Sequence, residues 1–311
     1  MEIELKYIVA FVLVFASLAL VTVNFSEKID ATNQLARLPV AEATSSPRDS
    51  LISQMRMTFD EEFNGLSLYR DYNGNVTCTN NGTGTWQTIY FGCTRVTLSN
   101  NETEVYLDQT PFNLLPGVLS IEARPIDPYL QSVIGPWAKY SSGLITTQYS
   151  FSQTYGYFEV RAQMPAGQGT WPAFWLLPVD KSWPPEIDAL EAFGDRNPVN
   201  NEGGRTLIHY ASHVPPDNKI CGDWYDTKTD ITAGFHTYGV DWEPTGITFY
   251  FDGIPYATCP PNPAANKPFY ILINLAIGGP GSWPGTPSPL NLWPTEMKID
   301  YVRAYQKITA E

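Results

Sequence analysis

Basic residues are scarce in this chain: 19 Lys and Arg stand against 32 Asp and Glu, for a net charge of −13. The sequence pI is about 4.6. Such a surface repels polyanions, which excludes nucleic acid and anionic membrane surfaces as partners. Charge of either sign is sparse as well, at 16% of residues, so the surface suits a neutral ligand. Histidine, with three copies, and cysteine, with four, are both rare. No CxxC occurs, so neither a zinc ribbon nor a thioredoxin-type motif is indicated. There is no internal repeat and no heptad pattern.

Aromatic residues are plentiful: 9 Trp, 18 Tyr and 15 Phe, more than a core usually needs. They serve as sandwich core or as stacking platforms for flat apolar faces, and sugar rings present such faces. With 23 Gly and 26 Pro, turns are frequent, which favours many short strands over long helices. The single long apolar run, residues 8–23, is short for a spanning helix but fits a signal-peptide core or a minimal anchor. Residues 1–26 are therefore expected to form an apolar helix that exports the chain or anchors it to the outer face of a membrane. Residues 27–55 read as a polar linker, and 56–311 as one domain. In an exported chain the even set Cys78, Cys93, Cys221 and Cys259 predicts two disulfides. Of the three pairings, Cys78–Cys93 and Cys221–Cys259 join chain neighbours and are favoured.

The texture is β. "TYGYFEVRAQMP" alternates Tyr157, Glu159 and Arg161 against Phe158 and Val160. Glu159 and Arg161 read as a cross-strand ion pair or as cleft wall. "GITFYFDGIPYAT" predicts a hairpin turning at Asp252-Gly253. "FYILINLAIGG" predicts a buried strand and "MKIDYVRAY" a closing one. Many antiparallel strands without helical periodicity imply an all-β sandwich, for which a jelly roll is one solution.

The stretch "WPPEIDALEAFG" places Glu186, Asp188 and Glu191 within six residues. Local propensity favours a helix: prolines suit a first turn, Ala-Leu-Glu-Ala are helix formers, and Gly194 can stop it. On a regular strand Glu186 and Asp188 share a face while Glu191 points away. One extra residue in a β-bulge returns all three to one side. A calcium loop needs more oxygen ligands and a glycine turn than "EIDALE" offers.

The surroundings decide. "YSSGLITTQYSFSQTYGYFEVRAQMPAGQGTWPAFWLLP" leads into "WPPEIDALEAFG", followed by "GFHTYGVDWEPTGITFYFDG" and "NLAIGG". The series over residues 56–306 resembles glycoside hydrolase family 16, the endo-β-glucanase, laminarinase and lichenase group. "WPPEIDALE" and "GTWQTIYFG" look most like its succinoglycan-depolymerase branch. The resemblance implies a concanavalin A-like jelly roll with E-x-D-x-x-E on a bulged strand. It implies that Glu186 is the nucleophile, Glu191 the general acid and then base, and Asp188 their tuning partner. Retaining hydrolysis needs two carboxyls about 5–5.5 Å apart, one ionised and one protonated.

The same resemblance points to Trp171 and Trp175, on one face of "GTWPAFWLLP", as cleft tryptophans. It places Trp283 beside the sugar-donor subsites, His209 beside the acid/base carboxylate and Asn274 in the cleft. His236 reads as structural. His209 and His213 are four residues apart without a third ligand, so zinc is not expected. Asp300 matches an aspartate that holds a structural calcium in many members, and catalysis itself needs no cofactor. Where many laminarinase-type members have a basic residue after Ser-Gly, this chain has Leu144. The expectation is an exported monomer that hydrolyses internal β-1,3 or mixed β-1,3-1,4 linkages of a polysaccharide with retention. A transglycosylase, a non-catalytic carbohydrate-binding module and a structural sandwich are the alternatives.

Overall fold

The structure, a computed structural model, describes residues 45–216 and 218–308. The apolar segment 8–23 and its expected helix lie outside the described residues. Among the described residues no helix is long and apolar enough to cross a membrane. The chain runs through α1 (Pro47–Ile52), β1 (Met55–Glu61), β2 (Glu104–Tyr106), β3 (Phe112–Leu115), β4 (Val118–Pro125) and α2 (Pro128–Ile134). Next come β5 (Tyr140–Ser142), β6 (Leu144–Thr146), β7 (Gly156–Gln163), β8 (Thr170–Pro178), β9 (Glu186–Ala192) and β10 (Leu207–Val214). The rest is β11 (Asn218–Asp226), β12 (His236–Glu243), β13 (Gly246–Phe251), β14 (Ile254–Cys259), β15 (Phe269–Ile277) and β16 (Thr295–Lys307).

These strands form two sheets, as the alternating segments predict. The larger runs β14-β13-β12-β7-β16-β4-β5-β2, with β1 added on β16 and β3 on β4. The smaller runs β11-β10-β9-β8-β15-β6. Their facing sides make one core: Phe158, Val160 and Ala162 of β7 pack in the same cluster as Phe174, Leu176, Ile187, Leu190 and Ile273. Each Val, Leu, Ile or Phe among them contributes about 1.5–3 kcal/mol by leaving water. Strand β15 is buried at all nine positions. Its second face carries Tyr270 and Leu272, which join Tyr90, Tyr106, Leu144 and Leu177 in a separate cluster. Burial on both sides explains its continuous apolar sequence. Leu144, in the position where a basic residue is common, is part of that apolar packing.

The predicted hairpin forms at Asp252-Gly253, with φ of 47° and 76°. Both are left-handed, as a type I′ turn requires. The disulfides pair Cys78 with Cys93 and Cys221 with Cys259, at Cα separations of 5.5 and 5.8 Å. The second ties β11 to β14, the outermost strands of the two sheets.

The linker reading needs correction at its end. Ser46 caps α1 in a capping box with Asp49. Arg48 then reaches Glu159 of β7, with Nε 3.0 Å from Oε2 and Nη2 2.5 Å from Oε1. The packed body therefore begins at residue 45. A six-residue helix is too short to hold by propensity alone, and this buried contact, far away in sequence, stabilises it.

Candidate active site

The acidic stretch is a strand, and propensity loses to position: β9 lies in the middle of the smaller sheet, between β8 and β10. Register shows why the acids converge. Against β10, Glu186 faces His213, Asp188 faces Ala211 and Glu191 faces His209. Two residues of β9, Ala189 and Leu190, thus oppose the single Tyr210. Against β8, Leu190 faces Phe174 and Asp188 faces Trp175, so Ala189 is the extra residue. The bulge returns Glu191 to the side of Glu186 and Asp188.

All three acids line a cavity of about 580 Å³, together with Trp171, Ala173 and Trp175 of β8 and Asn274 of β15. Phe174 points the other way, into the core. Tyr90, Thr97, Leu98, Asn100 and Glu102 form a wall. That segment returns beside the Cys78–Cys93 disulfide.

Each acid has distinct partners. Glu191 accepts the indole N–H of Trp171 at 3.0 Å on one oxygen and lies 2.9 Å from His209 Nδ1 on the other. Glu186 accepts the indole N–H of Trp183 at 2.7 Å. His213 Nε2 lies 3.1 Å from Asp188 and 3.9 Å from Glu186. No Arg or Lys forms an ion pair with any of the three among the described residues. Burial raises Glu186 well above the usual carboxylate range; the charge of Asp188 adds to this, while His213 and the Trp183 N–H oppose it. Burial, then the charge of Glu191, raises Asp188 likewise. Adjacent buried carboxyls titrate as a unit.

Trp175 donates its indole N–H to Asn274 Oδ1 at 2.8 Å, which places both predicted residues together. Trp283 does not line the cavity. It packs on His209 at 4.9 Å and on Phe193 at 4.8 Å, and its indole N–H donates to Glu202. This puts it on the β10 side of Glu191, with His209, and its ring also meets that of Trp171 at 5.5 Å. Asp300 sits in a bulge of β16, where its carboxylate accepts from Arg161. A calcium ion at Asp300 needs six to eight oxygen ligands. The adjoining guanidinium, a cation, does not fit such a cage. Glu159 and Arg161 are neither paired with each other nor part of the cleft, since their partners are Arg48 and Asp300. His236 meets Asp252 in the hairpin turn.

Sequence reading missed the Trp183 contact and treated His213 only as a zinc ligand. The signal was present: His209 and His213, an even number apart, share one face of a strand. The three groups Glu186, Asp188 and His213 do bring ligand atoms within 4.8 Å of one another.

Buried, unneutralised carboxyls on a bulged strand beneath aromatic walls are the arrangement of a glycoside hydrolase. The family model for Glycosyl hydrolases family 16 matches residues 83–303, and the chain belongs to that family. It is 40% identical over 272 residues to endo-1,3-1,4-beta-glycanase ExsH of Rhizobium meliloti (strain 1021), covering 81% of this chain and 52% of that protein. It is 38% identical to endo-1,3-1,4-beta-glycanase EglC of the same organism, with the same coverage. The chain thus spans about half the length of the curated relatives it matches. The laminarinase catalytic domain from Thermotoga maritima superposes with a TM-score of 0.65 at 25% identity, covering 82% of this chain and 100% of that one.

Proposed function

We propose that this chain is an exported endo-β-glycosidase that hydrolyses internal β-1,3 or mixed β-1,3-1,4 glucosidic linkages of a polysaccharide with retention. The observation that carries this reading is the convergence of Glu186, Asp188 and Glu191 on one face of β9 inside an aromatic cavity. Names of relatives support the linkage class, and two disulfides suit an oxidising compartment.

In the first step Glu186 attacks the anomeric carbon as Glu191 passes its proton to the glycosidic oxygen. The carbon–oxygen bond breaks, the shortened chain leaves as an alcohol, and a glycosyl ester forms on Glu186. Glu191, now a carboxylate, takes a proton from water. The resulting attack on the anomeric carbon frees Glu186 and restores the acid. Trp171 and His209 hold Glu191 in place for both proton transfers. Asp188, buried beside Glu186, tunes the charge of the nucleophile.

The test is incubation with β-1,3-glucan, mixed-linkage β-glucan, galactan and succinoglycan, with NMR of the first product. Cleavage of a β-glucan to a β-anomer is expected. An α-anomer overturns the mechanism, and no cleavage of any β-glucan overturns the activity. Products longer than the substrate, formed when acceptor oligosaccharide is added, identify a transglycosylase instead.

A further inference from the structure

Behind the cleft floor lies a hydrogen-bond chain that settles which way an amide points. The Trp175 indole can only donate, so Asn274 must turn its carbonyl oxygen to it, at 2.8 Å. The Asn274 amide nitrogen then faces Tyr106, 3.0 Å away, and the phenol oxygen accepts. Tyr106 is fully buried, and its remaining O–H is free to point onward, where Tyr90 stands edge-on at 5.6 Å. Asn274 is 5% exposed and lines the cavity. One of its two amide N–H bonds goes to Tyr106, and the other has no protein partner among the described residues.

We propose that Tyr106 is a positioning residue that fixes Asn274 as a hydrogen-bond donor to the substrate. The subsite over β8 and β15 then recognises an oxygen of the sugar as an acceptor. This rests on the reading of the cavity as a polysaccharide cleft. Asn274 stands two strands from β9, about 9.6 Å, on the side away from His209. Without the Tyr106 hydroxyl the amide loses its second anchor while still bound to Trp175, and its cleft-facing N–H is no longer held.

The experiment is calorimetric titration of β-glucan oligosaccharides into the Glu186→Gln protein, with and without a second substitution. Adding Tyr106→Phe is expected to weaken binding about tenfold, the loss of roughly one well-placed hydrogen bond. Adding Asn274→Asp keeps both buried partners satisfied, since Tyr106 can donate to the new oxygen. It turns the cleft-facing donor into an acceptor, so binding falls at least as far. An NMR spectrum of the indole N–H groups is the signature that loosened packing alone does not give: the Trp175 signal shifts in Tyr106→Phe while that of Trp183 stays. Unchanged affinity on adding Tyr106→Phe overturns the role of Tyr106, and unchanged affinity on adding Asn274→Asp overturns that of Asn274. Absence of any binding by the Glu186→Gln protein overturns the underlying reading of the cleft instead. Should Tyr106→Phe fail to fold, Asn274→Asp alone decides: affinity equal to its parent overturns the proposal.

Discussion

Two buried carboxylate sites sit on opposite sheets of this sandwich and are treated in opposite ways. On the larger sheet Glu159 is fully buried, yet it receives Arg48, the Tyr157 hydroxyl at 2.6 Å and the Tyr301 hydroxyl at 2.9 Å. On the smaller sheet Glu186, Asp188 and Glu191 are crowded together with imidazole and indole neighbours and, among the described residues, no paired guanidinium. A buried charge with a hydrogen-bonded counter-charge is structural, and removing the partner is costly. Buried acids without one must share protons, and shared protons can be passed to a substrate. The difference separates scaffold from chemistry better than burial does.

The sharpest way to break this comparison is to neutralise one acid at a time. Glu186→Gln and Glu191→Gln should each lower turnover by on the order of 10³-fold or more while the fold persists. Steady-state rates on a cleaved polymer, with circular dichroism, check this. Near-normal turnover in either variant removes that residue from the mechanism. On the other sheet the expectation inverts. Arg48→Ala should cost about 3 kcal/mol of stability, by leaving Glu159 buried and unpaired, with little change in turnover measured well below the melting temperature. Chemical denaturation measures it; a stability unchanged within error makes the ion pair incidental.

The smallest effect concerns pH. Glu186 and Asp188 have folded pKa values raised above their ordinary 4.5 and 3.8. A raised group contributes stability in its protonated form, fully present below the unfolded pKa and lost as pH rises through the folded one. Glu186→Gln mimics the protonated form at every pH. Its melting temperature should therefore match the native protein near about pH 4 and exceed it increasingly toward about pH 8. A gap that stays constant or narrows over that range contradicts the electrostatic picture of β9.

Much of the cleft was legible because β periodicity is short-range. The alternation in "GTWPAFWLLP" separates Trp171 and Trp175 from Phe174, and E-x-D-x-x-E carries its own bulge. Local propensity misled at the same stretch, since Ala-Leu-Glu-Ala favours helix until two flanking strands claim its backbone hydrogen bonds. Contacts between distant segments were not legible: Arg48 with Glu159 is separated by 111 residues, and Tyr106 with Asn274 by 168. Nothing in either local pattern names its partner. The contacts of Trp283 were hidden for the same reason, because its glycine-rich loop has no periodicity to orient it.

Ala189 has no functional group and is almost wholly buried, yet it decides the parity of β9. With it, an odd step in sequence from Glu186 to Glu191 becomes an even step in space. Deleting it would shorten that step to four residues, which a regular strand already puts on one face, so the three acids would still face the cleft from a straighter strand. Any substitution that Ala189 tolerates by size should be nearly silent, whereas one residue inserted beside it restores an odd step and turns Glu191 toward the hydrophobic core. The stereochemistry of the site is set by counting as much as by composition.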